Sequence, residues 1–599
     1  MFVSTGATSR RDFASIGANR AGSHPLPFVS IGTNSTPRTK TGLSPSLHPI
    51  LMPEADVDAL AREIFDWYVE HEPVFATHMG LHQSDGLMPD GRRQAKLAEI
   101  KAGREFKERA DAIAVKGLST SKKIDLLALR NAINLGLFED TELAFWESFP
   151  SAGQAVGSAL FTLFMRDFAP LRDRLVSITS RLEKSVQYID QTKGRLTRPV
   201  KLWTEIGIES NQRLPMFLEV IERAAKDALP PADASRLAEA SARTRQAIGA
   251  HARWLKEDVL PKGKGVTGIG AAKFRKLVRL RELGLTVEQI YAIGKKILRD
   301  SKRQLKALAG EIKPGASVDE AGEIVKNDHP AAFPEALAYT ERAMREARAF
   351  IAAKDLATLP PQEELRVIET PSYIRHVIPF AAYSSPGKFE KNQLGLYMVT
   401  PVEDKPEMMR EHNYAGTRNT AVHEGYPGHH LQLVCANANP SLARALVSAT
   451  ESIEGWAHYC EDMMKAAGFS ADPRTKFVQV RDQIWRACRI LIDVDLHSGR
   501  MTFDDAVDLL VREAGMERPG ALAEVKRYTY TPAYQLSYLI GKHLIQRLRA
   551  DVERSMGDAY TDKFFHDTFL YAGSLPAKHM RLLFEDKMRG LGRLRRKGL

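Results

Sequence analysis

The stretch from Thr420 to Gln432 constrains this chain most, because His423, Glu424, His429 and His430 fall within eight residues around Gly425-Tyr426-Pro427-Gly428. Zinc takes neutral imidazole nitrogens and carboxylate oxygens, and a glutamate beside a ligand histidine can hold and deprotonate the metal-bound water. Three imidazoles and a carboxylate are therefore a metal-site composition. In the H-E-x-x-H helix a four-residue step puts both imidazoles on one face, but here the pattern is H-E-x-x-x-x-H-H. In a regular helix His430 would lie about 20° from His423 in azimuth but roughly 10.5 Å along the axis, and His429 about 120° away and 9 Å along. Neither makes a close pair. Pro427 follows His423 by four residues, where its ring clashes with the His423 carbonyl and its missing N–H breaks the ladder. The spacing predicts an interruption within 425–428, with Gly425 and Gly428 tolerating the dihedrals of a bulge or kink. The competing reading is a polar turn whose histidines only cap or hydrogen-bond.

A catalytic zinc needs a third protein ligand and an open position. Residues 448–466 carry a helical apolar face, Ile453, Trp456, Ala457, Cys460 and Met464, which leaves Glu454, His458 and Glu461 as an adjacent polar stripe at i, i+4, i+7. The stripe either faces the metal or faces water.

Other chemistries find no support. There is no G-x-S-x-G, and Gly263-Lys264-Gly265-Val266-Thr267-Gly268 lacks phosphate-loop spacing. The net charge of +11 suggests nucleic acid, but residues 1–53 hold five basic residues and one acid, and residues 587–599 hold six basic residues and no acid. The body between them is nearly neutral, with no stripe to track phosphates. We expect no specific nucleic-acid partner. With 44% hydrophobic and 27% charged residues the chain has material for a sizeable core, and no apolar run reaches the roughly 18 residues that span a bilayer. Cys435, Cys460 and Cys488 are odd in number and form no C-x-x-C, which points to a reducing compartment and a cytoplasmic location.

Residues 1–51 are rich in Ser, Thr, Gly and Pro with one acid, and read as a disordered basic tail or a presequence, or else translation starts at Met52. Residues 52–586 read as a single helical catalytic domain, with amphipathic stretches at about 121–140, 172–192, 232–258, 286–308 and 332–353 and a capping box at Thr286–Gln289. Short β-branched and aromatic runs at 365–371, 374–380 and 394–400 predict a small antiparallel sheet directly before the metal motif. Its edge either receives an extended peptide or is a plain connecting hairpin. The metal-site half then runs over about 401–586, and 587–599 reads as a basic C-terminal tail.

His423-Glu-Gly-Tyr-Pro-Gly-His-His-Leu-Gln432 resembles the signature of the bacterial "domain of unknown function 885" family. Glu454-Gly-Trp-Ala-His-Tyr-Cys-Glu461, Asp493-Val-Asp-Leu-His497, Arg527-Tyr528 and Pro532-Ala-Tyr-Gln-Leu-Ser-Tyr-Leu-Ile-Gly541 agree with it in order. That family is grouped with zincin-type metallopeptidases, and Tyr530-Thr-Pro-Ala-Tyr534 is also similar to a segment of the thermostable zinc carboxypeptidases. The resemblance implies a mainly α, zincin-like body with a deep cleft, one zinc per chain, and hydrolysis of a peptide or small amide substrate, with a carboxypeptidase-like action as one form of it. The runner-up readings are a hydrolase of non-peptide amides or esters and an inactive zinc-site binding protein. It favours Glu454 as third ligand and His429 as second, with His430 turned toward the ligands' supports or the substrate; a stretched site using His430 is the alternative. Glu424 is then the general base, Tyr538 and, after it, Tyr534 are the oxyanion donors, and His458 and Glu461 hold the ligands from behind. Arg527 is a candidate for a substrate carboxylate or an internal ion pair, and Tyr528 a further candidate donor.

Overall fold

The computed structural model describes residues 53–265, 268–370, 381–402 and 406–596; the expected N-terminal tail lies outside them. Helices form where the apolar period is sustained. Helix α1 (Pro53–His71) buries Val57, Leu60, Ala61, Ile64 and Phe65, an i, i+3, i+4 face. Helices α2 (Ala152–Met165), α3 (Leu171–Thr192), α4 (Lys201–Ala228) and α5 (Pro231–Trp254) pack as an N-terminal bundle around Leu163, Ile178, Leu182, Phe217, Leu218 and Ile248. The capping box opens α6 (Val287–Ile312): Gln289 N–H donates to Thr286 Oγ1 at 3.2 Å and Thr286 N–H to Gln289 Oε1 at 2.9 Å. Helix α7 (Phe333–Ala353) leads to the sheet.

The sheet differs from the antiparallel expectation. Strands β1 (Glu363–Glu369), β2 (Ala381–Ser384) and β3 (Gln393–Val399) lie in the order β1-β3-β2, with β1 parallel to β3 and only β2 antiparallel to it. A parallel pair needs a crossover of a dozen or more residues, and the chain between Glu369 and Gln393 supplies it. The expected middle strand, 374–380, lies outside the described residues. One face sends Ala382 and Met398 into the bundle core. The other sends Tyr383, Tyr397 and Val399 against Ala343 and Met344 of α7 and against Ala421 and Leu433 of the metal motif. The sheet thus couples the bundle to the site.

The second half includes α8 (Tyr414–Thr420), α9 (His429–Ala436), α10 (Thr450–Ala466), α11 (Pro473–His497), α12 (Arg518–Tyr530), α13 (Ser537–Met556) and α14 (Ala577–Arg596). Helix α10 lies along α13 and α11 along α6. Behind the metal motif sits an apolar core with Leu431, Cys435, Trp456, Cys460, Phe565 and Phe569. The expected C-terminal tail from residue 587 is instead helical through Arg596. Met580 and Phe584 are buried and Met588 packs on the same core, so a four-residue apolar step carries the helix past the start of the basic run. Among the described residues no helix is long and apolar enough to cross a membrane.

Candidate metal centre

The predicted interruption is present. Helix α8 widens into a π turn over Ala421–Gly425, Tyr426 is extended (φ −124°, ψ 123°), the Tyr426–Pro427 bond is cis, and α9 begins at His429. Gly428 N–H donates to Val422 O at 3.0 Å, folding the chain back over the turn it has just left. A Cβ at Gly428 would lie 1.8 Å from the His423 carbonyl oxygen, so only glycine fits. Trp456 Nε1–H donates to Pro427 O at 2.7 Å and fixes the loop to α10. The two extra residues are absorbed in this fold-back, and the His423 and His429 rings stand 4.9 Å apart, edge to face.

Glu454 joins them from α10. Its Oε2 is 3.5 Å from His429 Nε2, and one ligand atom from each of His423, His429 and Glu454 lies within 4.8 Å of the others. Tetrahedral zinc with bonds of about 2.1 Å separates its ligand atoms by about 3.4 Å, so the His429–Glu454 spacing fits a shared ion. A second grouping, His423, His458 and Glu461, shares His423. Here His423 Nδ1 is 2.7 Å from Glu461 Oε1, too close for two ligands of one ion and right for a hydrogen bond. Glu461 therefore accepts from His423 Nδ1–H and leaves Nε2 with the lone pair, the arrangement that orients a metal-binding imidazole. His458 Nδ1 stands 3.3 Å from the same Glu461 oxygen. The donor set of two imidazoles and a carboxylate, with a carboxylate behind one ring, fits zinc.

The stripe that could have faced water is inside. Burial works against ionisation of Glu454, but bonds from His429 and Tyr534 and the charge of His423 outweigh it and hold the carboxyl below its ordinary range. Burial likewise opposes ionisation of Glu461, and His458 and His423 overcome it. Burial drives His458 well below the usual imidazole range and keeps it neutral. Glu424 is buried beside the ligands, within electrostatic reach of His429, His423 and Glu454.

His430 points elsewhere. Its Nε2–H donates to Glu363 Oε2 at 2.9 Å and its Nδ1 accepts from Tyr383 Oη at 3.0 Å. Tyr426 Oη donates to the same Glu363 oxygen at 2.5 Å, and Arg348 Nε holds the other at 2.7 Å. A Cβ on Gly395 would lie 2.5 Å from His430 Nδ1, so β3 makes room for this ring. His430 anchors the motif to the sheet.

Tyr534 Oη donates to Glu454 Oε1 at 2.7 Å, and Tyr538 Oη lies 3.4 Å from Tyr534 Oη. Of the two candidate donors, Tyr534 is the one bonded to Glu454. Tyr534 follows Ala533, whose positive φ of 62° is held from both sides: Asp493 Oδ1 accepts its N–H at 3.0 Å and Arg281 donates to its carbonyl. Helix α13 reaches α10 through facing glycines; a Cβ on Gly541 would lie 2.0 Å from Glu451 O, and one on Gly455 would lie 2.4 Å from Gly541 C. Arg527 and Tyr528 are not brought to the ligands. Arg527 Nη2 donates to Glu524 Oε2 at 2.8 Å and Tyr528 Oη to the same atom at 2.5 Å. Sequence reasoning missed Glu363, Tyr383 and Asp493 as supports, and missed Arg486 and Arg489, whose Arg-x-x-Arg spacing within an apolar helix was the available signal.

Residues 73–583 match the family described as "Bacterial protein of unknown function (DUF885)". The chain belongs to this family. No curated protein matches it. Among solved structures it is similar to a "putative lipoprotein of unknown function" from Shewanella oneidensis, at TM-score 0.73 and 24% identity over 88% of this chain and 99% of that one. It is also similar to the "putative lipoprotein" from Colwellia psychrerythraea, at TM-score 0.76 and 17% identity over 90% of this chain and 100% of that one. These two likenesses share the fold. Their description as lipoproteins overturns the cytoplasmic expectation. The cysteine argument for it also fails physically, because Cys435, Cys460 and Cys488 are free and buried. Burial raises each thiol, Cys488 to about 12, and buried thiols of this kind are unreactive, so their odd number does not fix the compartment.

Proposed function

We propose that the protein is a zinc-dependent hydrolase of amide bonds, with peptides as the main substrate class. The observation that carries this reading is the convergence of His423, His429 and Glu454 with Glu424 buried beside them, since Glu461 already supports His423 and a purely structural site has no use for a further, non-ligating carboxylate. Zinc held there would polarise the scissile carbonyl and acidify the attacking water.

The chain's own groups do the rest. Glu424 takes the proton of the attacking water and returns it to the leaving nitrogen. Tyr534 and Tyr538 are raised above the ordinary phenol range, first by burial and then by the charge of Glu454, so both are protonated donors at neutral pH and suit a developing oxyanion. Glu461 keeps His423 in the tautomer that offers Nε2, and His430 with Glu363 keeps the fold-back seated on the sheet. The lipoprotein description of the two structural relatives supports action outside the cytoplasm.

The test is digestion of a mixed peptide library by the purified protein. The reading expects cleavage that is abolished by chelator, restored by zinc and absent in Glu424→Gln; chelator-insensitive cleavage, or none across the library, would refute it.

A further inference from the structure

Three arginines gather around Tyr538. Arg489 Cζ lies 4.8 Å from its ring centroid, Arg486 Cζ lies 5.8 Å from it, and the charge of Arg527 acts on its hydroxyl. All three are buried. Their counter-charges fall short: Arg489 Nη2 and Arg527 Nη2 both donate to one oxygen of Glu524, at 2.8 Å each, and Tyr528 donates to that oxygen too. Arg486 reaches the Asp482 carboxylate only at 3.4 Å, and its Nε is buried with no hydrogen-bond partner among the described residues. The nearby Lys542 is already engaged by Asp462 and Gln483, at 2.6 and 2.7 Å. Among the described residues three guanidinium groups thus face two carboxylates, whereas buried charges are ordinarily matched.

We infer that Arg486, Arg489 and Arg527 receive a free carboxylate of the substrate, so that the protein cleaves peptides or N-acyl amino acids at a bond next to their C-terminus. The inference rests on the hydrolase reading above. Planar guanidinium forks match a carboxylate in geometry as well as charge. Tyr538 links the arginines to the candidate metal ligands: its Oη is 3.4 Å from Tyr534 Oη, which is 2.7 Å from Glu454. A residue spans about 3.3–3.6 Å, so a short C-terminal segment of the substrate reaches from the arginines past Tyr538 to the candidate ligands. An enzyme that cuts within long chains would have no use for an anion receptor there.

The test uses zinc-loaded Glu424→Gln, which separates binding from turnover, with calorimetric titration of N-benzoyl-Gly-Phe and of the same compound as its C-terminal amide. The acid is expected to bind about 10–100-fold more tightly, and Arg486→Met in the same background to cut that advantage below about threefold, with Arg486→Lys recovering part of it. If Arg486→Met does not fold, the acid–amide comparison stands alone. Equal binding of acid and amide overturns the inference, and chelator-sensitive cleavage of internal bonds by the wild type would leave the hydrolase reading in place. Binding of neither compound also overturns the inference, and with no chelator-sensitive cleavage it overturns both.

Discussion

The N-terminal bundle and the metal half both bury histidines, but surround them differently. Packed against the first, His78 donates from Nδ1–H to Val74 O at 2.8 Å and accepts at Nε2 from Thr162 Oγ1 at 2.8 Å, and within it His251 meets Asn211 Nδ2 at 2.9 Å. Burial, aided by Arg166 and Lys193 respectively, pushes their pKa values to about 3 and about 4. In the second, His423, His429 and His458 face carboxylates and one another, with ring separations of 4.9 Å. Equal burial therefore has two meanings. A ring satisfied by hydroxyl, amide or carbonyl is a neutral structural part; rings that converge with carboxylates form a donor set that could hold a cation.

The largest expected effect contrasts the two regions directly. Glu424→Gln should lower kcat by about 10³-fold or more while zinc content is unchanged, whereas His251→Asn should leave both kcat and zinc content alone; full activity in Glu424→Gln would remove the distinction for that residue. Next in size, Glu363→Ala leaves His430, Tyr426 and Arg348 facing an emptied buried position and should destabilise the fold by about 3 kcal/mol, read from denaturant midpoints, with zinc still bound. Gly541→Ala would drive a methyl into the Glu451 carbonyl and should cost roughly 1–3 kcal/mol, together with a loss of kcat as α13 and its tyrosines move from Glu454. Unchanged kinetics and stability would show that the α10–α13 contact is slack.

The bundle histidines give a smaller effect with a defined sign. Their folded pKa values lie below the unfolded value of 6.5, so the unfolded chain binds protons first as pH falls. Their contribution is present in full above pH 6.5 and is lost as pH drops toward about 4 for His251 and about 3 for His78, at up to about 1.4 kcal/mol per pH unit for each. In chelator, the melting temperature of His251→Asn should fall less steeply than that of wild type between pH 6.5 and 4, and equal slopes would refute the neutral-His assignment. Smallest of all, deleting residues 1–51 should change stability by less than about 0.5 kcal/mol, because that stretch carries no apolar period; a larger loss in a melting experiment would show that it packs on the body.

What could be read in advance was local chemistry. Pro427 forbids a continuous helix whatever surrounds it, and Glu454, His458 and Glu461 share a stripe by helical period alone. Tertiary partners were not readable: Glu363 meets His430 across 67 positions and Arg489 meets Glu524 across 35. The direction of β1 against β3 depends on the crossover between them, which strand composition does not encode. The basic residues after 587 looked like a tail by charge, while the apolar step through Met580, Phe584 and Met588 set the structure.

The central claim is that the fold-back at Gly428 selects His429 over His430 as the metal-side imidazole. Zinc titration with equilibrium dialysis on wild type, His429→Ala, Glu454→Ala and His430→Gln tests it most directly. One zinc per chain is predicted for wild type and His430→Gln, with affinity weakened at least about 100-fold in His429→Ala and Glu454→Ala. Zinc content unchanged in Glu454→Ala, or lost in His430→Gln and kept in His429→Ala, would contradict it.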